Sequence, residues 1–248
     1  LKRTFELFKE KKSVTKENTR EKILDAAEEL FSEGGFSATS IRAITTRAGV
    51  NLAALNYHFG TKDGVIDAVL SRRIEPLNEE RVRLLEQFER ESGDTHPALE
   101  KILAAFLGPA IHLAVHQESG GKKFMRLMGR VLSEPNDFLK KVISKHFREL
   151  THRFERAFRL ALPDIKAEEV FWRLHFVIGS MAHTMAHSLT PEFIEILKDR
   201  GSESAGTISD TFIPSMDADR VLNYLIHFSA AGLRAGSLET DHKEGTES

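Results

Sequence analysis

The sequence predicts an all-α protein, a three-helix head followed by a larger helical body. Three observations predict it. Apolar residues recur every three or four positions along most of the 248 residues, as the buried stripe of a helix requires. No segment alternates apolar and polar residues in the manner of a half-buried strand. The composition, 41% hydrophobic and 29% charged, is that of an ordinary globular protein.

The elements follow in order. Residues 1–18 are polar, with Lys9, Lys11 and Lys12 clustered, and read as a flexible arm. From Thr19, the spacing of Ile23, Ala26, Ala27, Leu30 and Phe31 makes one helical face, ended by Gly34 and Gly35. Thr39 or Ser40 caps a second helix through Ile41, Ile44 and Ala48, and Gly49 permits a sharp turn. Asn51 caps a third, residues 52–58, with Leu55 inward; a fourth starts near Lys62 and buries Val65, Ile66, Val69 and Leu70. Pro76 predicts a kink or an early stop, after which Val82, Leu84, Leu85 and Phe88 resume the pattern. Beyond a loop at residues 92–95, Pro97 opens a helix through Leu99, Ile102, Phe106 and Leu107. Helices are then expected over residues 122–132, 136–162, 167–188 and 217–234, with a mobile Gly/Ser-rich stretch at 199–209. The expected units are the arm (1–18), the head (19–70), the body (71–236) and a flexible tail (237–248).

Composition removes several classes of function. Zero cysteines exclude disulfides, thiolate zinc sites and cysteine nucleophiles. No apolar run approaches the ~18 residues of a membrane span. The first residues lack the apolar core of a secretory signal, so the cytoplasm is the expected compartment. The net charge is −2, but it divides unevenly: residues 1–74 carry +3 and residues 75–248 carry −5. Only the mildly basic head suits a polyanion.

The three short helices match a mechanical solution in which a small apolar core holds a recognition helix in the ~12 Å major groove of DNA. The third helix is the expected reader. Its outward residues Asn51, Ala53, Ala54 and Asn56 are small, so the backbone approaches closely, and Asn56 has the donor and acceptor that address adenine. Arg42 suits a guanine or a phosphate; Ser40 and Lys62 suit phosphates. The motif sharpens this reading. Thr39-Ser40-Ile41-Arg42-Ala43-Ile44, Ala48-Gly49-Val50-Asn51 and Asn56-Tyr57-His58-Phe59-Gly60-Thr61-Lys62 closely resemble the DNA-binding head of the TetR family of repressors, over about fifty residues without a gap. The resemblance implies that Arg42, Ala53, Ala54 and Asn56 face bases, while Ser40, Tyr57, His58 and Lys62 engage the backbone or brace the helix. His58 is expected to fill the seam between the third and fourth helices; Tyr57 is expected to pack with its ring and meet phosphate with its hydroxyl. Leu52 departs from the polar reader many relatives carry, which leaves the operator sequence open.

In the body, Gly179, Ala182 and Ala186 form a strip of small residues, and Ala230, Ala231 and Gly232 offer another. Paired with their symmetry mates, these helices would form a four-helix homodimer seam, placing two heads on a palindromic operator in double-stranded DNA. Phe106, Phe124, Met125, Met128, Trp172, His175 and Phe176 are candidates to line a plastic apolar pocket for a small hydrophobic effector. The segments 124–129, 170–176 and 230–235 resemble the TetR subgroup that responds to long-chain fatty acids or their thioesters. Arg126 and Arg173 are candidate partners for an acidic head group, against the alternative of ordinary salt bridges.

His183 and His187, with His175 two turns earlier, and His112 with His116, have the i, i+4 spacing that suits zinc, but no Glu completes a His-Glu-x-x-His motif. No metal and no cofactor is expected, nor is an enzyme. The functional expectation is a ligand-released repressor. Its alternatives are an activator or a regulator with an unrelated effector, and then a histidine-ligated metal hydrolase.

Overall fold

The computed structural model describes residues 19–115, 121–133, 137–185 and 218–237. Among these residues every regular element is helical: α1 (Thr19–Gly34), α2 (Ile41–Ala48), α3 (Leu52–Phe59), α4 (Lys62–Ser92), α5 (Leu99–Val115), α6 (Gly121–Ser133), α7 (Asp137–Ala161), α8 (Ala167–His183) and α9 (Ala218–Arg234). The expected arm, the 199–209 stretch, the tail beyond residue 237, and Ala186, His116 and His187 lie outside the described residues. None of the described helices is long and apolar enough to cross a membrane.

Local chemistry sets the ends of the head helices. Ser40 accepts the Ala43 amide through Oγ at 3.1 Å and caps α2, while Thr39 turns inward and donates to the Gly35 carbonyl at 2.8 Å. Gly49 closes α2 with φ of 66°, a left-handed conformation that costs glycine little. Thr61 caps α4 by accepting the Gly64 amide. A Cβ at Gly64 would lie 2.1 Å from the Phe59 carbonyl oxygen, so the tight passage from α3 to α4 requires glycine there.

Of the kink or early stop expected at Pro76, the stop does not occur. α4 runs unbroken for 31 residues with Pro76 inside it. Proline removes one hydrogen bond to the carbonyl four residues earlier, but Ile74 and Leu77 are buried in the core on either side of it, and α4 as a whole packs against α5 and α7, which offsets the loss. The boundary expected after Leu70 therefore falls within a continuous helix. One contiguous core runs from Ile23, Phe31, Ile44 and Leu55 through Ile74 and Leu85 to Ile102, Phe158 and Leu233.

In the body, α5 is the central helix, flanked by α4, α6, α7 and α9. Gly108 lets α9 approach, since a Cβ there would lie 3.3 Å from Leu222. Helix α6 packs back against α1 as well as α5, so the body reaches the head through α6 as well as along the continuous α4.

Candidate DNA-binding face and effector domain

The α2–α3 unit buries Ile44 and Leu55 completely and turns the opposite sides of both helices to solvent. Ser40, Arg42, Asn51, Ala53, Asn56 and Tyr57 are exposed; Ala54, His58 and Lys62 are half-buried. Two expectations change in detail. Asn51 accepts the Ala54 amide through Oδ1 at 2.8 Å, so its carbonyl is committed to the cap and only its amide group is free to face outward. Tyr57 does not pack in the seam: its ring is 86% exposed and meets only the edge of His58, 5.1 Å between centroids. His58 is half-buried between Tyr57 and Phe59.

The polar groups on this face keep donors available. Ser40 uses its oxygen as an acceptor, which leaves its O–H to donate to an anion. Lys62 gives one hydrogen to the Ser37 carbonyl at 3.3 Å, which fixes the ammonium beside the α1–α2 turn with two donors left. Beneath this face, Glu28 of α1 is buried at 2% exposure. Arg73 donates to it from Nε at 2.8 Å and Nη2 at 3.1 Å, and Arg72 donates to Glu28 and, at 2.7 Å, to Asp25. α1 is thereby ion-paired to α4.

A second polar clasp joins α7 to the same helix. His146 Nε2 lies 3.0 Å from Asp67 Oδ1 and 3.2 Å from Ser71 Oγ, and its carbonyl accepts from Asn78 at 2.9 Å. Lys145 donates to Asp67 at 3.0 Å, and Glu75 stands 3.8 Å from His146 Nδ1. Burial raises the Asp67 pKa, but the hydrogen bonds from Lys145 and His146 outweigh it and hold the carboxyl below its ordinary value. A depressed carboxylate pKa contributes stability above the unfolded-state value and loses it as the pH falls through the folded-state value. The melting temperature of the wild type is thus expected to fall more steeply than that of Asp67→Asn below about pH 4, in a thermal melt series from pH 6 to pH 3.

The residues expected to line one pocket do not all face the interior. Phe106 packs on Phe154 at 5.2 Å and Phe158 at 6.3 Å inside the body. Phe124 is buried on α6, with Met125 and Met128 half-buried. Trp172, His175 and Phe176 instead stand on the outer face of α8, in ring contact with one another and with Phe171. Tyr224 and Phe228 of α9, which packs on α8, are also exposed. A groove of about 560 Å³ on this face is lined by Gly179, Ser180, His183, Tyr224 and Phe228 among others. The small residues divide too. Gly179 and Ala231 are exposed and Ala182 is half-buried, but Ala230 is only 3% exposed and serves packing within the chain.

Arg173 is spent on structure: it donates to the carbonyls of Leu233, Ala235 and Gly236 and pairs with Glu169 at 2.8 Å, tying down the end of α9. Arg126 is exposed on α6. The buried cation is a residue the sequence reading passed over, Arg81 on α4, 2% exposed. A signal was present, since position 81 falls on the same helical stripe as Ile74, Leu77, Leu84 and Leu85, where a charge is out of place. Among the described residues, no group of three His, Asp or Glu side chains is placed to hold a metal ion.

A three-helix head with one outward, well-capped helix, carried on a long helix that continues into an all-helical body, defines a helix-turn-helix regulator. Comparison with known proteins gives the family. Residues 23–69 match the profile of bacterial regulatory proteins of the tetR family, and residues 104–232 match the tetracyclin repressor-like C-terminal domain. The second match alone covers more than half of the chain, and the chain belongs to the TetR family of transcriptional regulators, not to an enzyme family. A repressor of Mycobacterium tuberculosis, the HTH-type transcriptional repressor Rv3405c, is 54% identical over 48 residues, 19% of this chain and 26% of its own length. The match thus spans about a quarter of that relative. Across the whole fold, the SmeT–triclosan complex aligns with a TM-score of 0.57 at 24% identity, covering 86% of this chain and 90% of that one. The FadR regulator of Bacillus subtilis, solved in complex with stearoyl-CoA, aligns at 0.53 with 14% identity, covering 85% and 97%.

Proposed function

We propose that the protein is a homodimeric repressor that holds a palindromic operator and is released from it by a small hydrophobic effector, such as a long-chain fatty acid or an acyl thioester. The carrying observation is the exposed α2–α3 face, where Arg42, Ala53, Ala54 and Asn56 address bases and Ser40, Tyr57 and Lys62 address phosphates. Tyr57 suits this role because an exposed phenol is free to donate to phosphate. Asn51 contributes through its cap, setting the direction of α3, and His58 braces the helix from its half-buried seat.

Dimerisation follows from the outer face of α8 and α9. Exposed contiguous apolar surface of this kind marks an association site, and Trp172, His175, Phe176, Gly179, Ala182 and Ala231 belong to that seam. Effector release is supported by the second route between body and head, α6 on α1, since a ligand that shifts Phe124, Met125 or Met128 acts on a helix in contact with the head. Two structural relatives were solved in complex with molecules that have an apolar body, triclosan and stearoyl-CoA, which supports an effector of that chemistry.

The test of the head is a pair of substitutions read on an operator recovered by selection from random DNA. Asn56→Ala is expected to lose about 1–3 kcal/mol of discrimination at one base pair, whereas Lys62→Ala weakens all sequences alike and flattens the salt dependence. Identical effects of the two would overturn the assignment.

A further inference from the structure

Among the described residues, Arg81 is the one buried arginine, and its charge meets no opposite charge. Nε donates to the Phe106 carbonyl at 2.8 Å. The outer edge of the guanidinium faces neutral partners at long range, the Asn78 Oδ1 at 3.3 Å and the Met181 Sδ at 4.0 Å. Its Cζ lies over the Phe106 ring, 5.0 Å from the centroid, and that ring is itself packed on Phe154 and Phe158. Three helices thus converge on one cation: α4 supplies it, α5 the aromatic platform and α8 the thioether.

Burying an ion without a counter-charge costs several kcal/mol, and buried charges are ordinarily paired. Burial pulls the Arg81 pKa down to about 10, which still leaves it charged at neutral pH. The nearby Arg72 and Arg73 show the contrast, each paired with carboxylates. A planar fork with two weakly held N–H groups is shaped for a carboxylate, and the rings beside it suit an apolar body.

We propose that Arg81 is the receptor for the carboxylate of the effector, which is an amphipathic free acid whose apolar body lies against Phe106, Phe154 and Phe158. The proposal rests on the reading of the protein as an effector-released regulator and decides between its two ligand classes. A thioester carbonyl is neutral and leaves the charge uncompensated, whereas a carboxylate displaces the Asn78 and Met181 contacts and neutralises it. Small hydrophilic anions are excluded by the cost of stripping their water without apolar burial in return.

The test uses the full chain bound to its operator, with dodecanoate, methyl dodecanoate and dodecanoyl-CoA below micellar concentrations. Release is read by fluorescence anisotropy and binding by the shift in melting temperature. Dodecanoate is expected to release the wild type at about 10- to 100-fold lower concentration than the ester or the thioester, the worth of a charge-assisted hydrogen-bonded pair. Arg81→Met and Arg81→Gln, checked for cooperative melting and operator binding, are expected to lose that preference for the acid; Arg126→Met keeps it. Equal or better release by the ester or the thioester overturns the Arg81 assignment and leaves the effector reading standing, a result that needs no variant to fold. An acid preference unchanged in either folded Arg81 variant, or abolished in Arg126→Met, overturns it as well. If none of the three compounds shifts melting or releases the operator, the assignment falls together with this class of effector.

Discussion

Replacing Glu28 with alanine is expected to lower the unfolding free energy by about 3–5 kcal/mol, the cost of removing one partner from a buried ion pair. Glu28 is the only carboxylate the described residues bury in the core, and it neutralises two guanidiniums. Its loss removes both hydrogen bonds that Arg73 makes to it and leaves Arg72 with Asp25 and, at 3.4 Å, Glu21. Both arginines are only 22% exposed at the side chain, so water replaces the lost partner poorly. Glu28→Gln keeps the shape and part of the hydrogen bonding and falls between the variant and the wild type. Arg83→Ala is the control: it removes an exposed bridge to Glu80, for which less than about 1 kcal/mol is expected. Urea unfolding at one fixed protein concentration, which a dimer requires, measures all three. A loss for Glu28→Ala no larger than for Arg83→Ala would show that the α1–α4 pairing does not hold the head.

The double substitution Phe176→Asp with Phe228→Asp is expected to separate the proposed dimer while leaving the chain folded. The two rings are 65% and 70% exposed, so their removal takes nothing from the core. In a seam, large aromatic side chains carry much of the binding energy, about 2–4 kcal/mol each when truncated, and two carboxylates facing their symmetry mates add repulsion. Each head alone is only mildly basic, so operator affinity is expected to fall by about 10²- to 10⁴-fold, the loss of an effective concentration between linked sites. Sedimentation velocity gives the mass and anisotropy the affinity. A variant that stays dimeric, or one that becomes monomeric with undiminished operator affinity, rules out the α8–α9 seam as the basis of DNA binding.

The head was legible because its signals are local. Caps, closing glycines and the i, i+3, i+4 spacing all act within a few residues, so α2 and α3 begin where Ser40 and Asn51 predict and α1 ends at the expected glycine. The body was legible as helices but not as an assembly. Periodicity shows that a helix has an apolar face; it does not show which neighbour covers that face. Trp172, His175 and Phe176 read as pocket residues because they are apolar or aromatic on a core-like helix, yet they point away from Phe106. Ala230 read as a seam residue because it is small, yet it is buried within the chain's own core. Pro76 misled for a related reason: the cost of one missing hydrogen bond is local, while the packing of α4 that offsets it comes from helices distant in sequence. Arg81 was hidden by its residue type, since an arginine in a charged stretch reads as surface until the helical stripe is drawn through it.

The continuity of α4 past Pro76 makes that helix a lever arm. At a rise of 1.5 Å per residue it is about 46 Å long, with the head at one end and Arg81 and Leu85 anchored in the body toward the other. From Lys62 to Leu85 the arm is about 35 Å, so a tilt of about 5° around that anchor sweeps its tip through about 3 Å, close to the ~3.4 Å rise of one base pair. In a pair of heads spaced to match the repeat of the double helix, an angular error that small in each arm is already a register error on DNA.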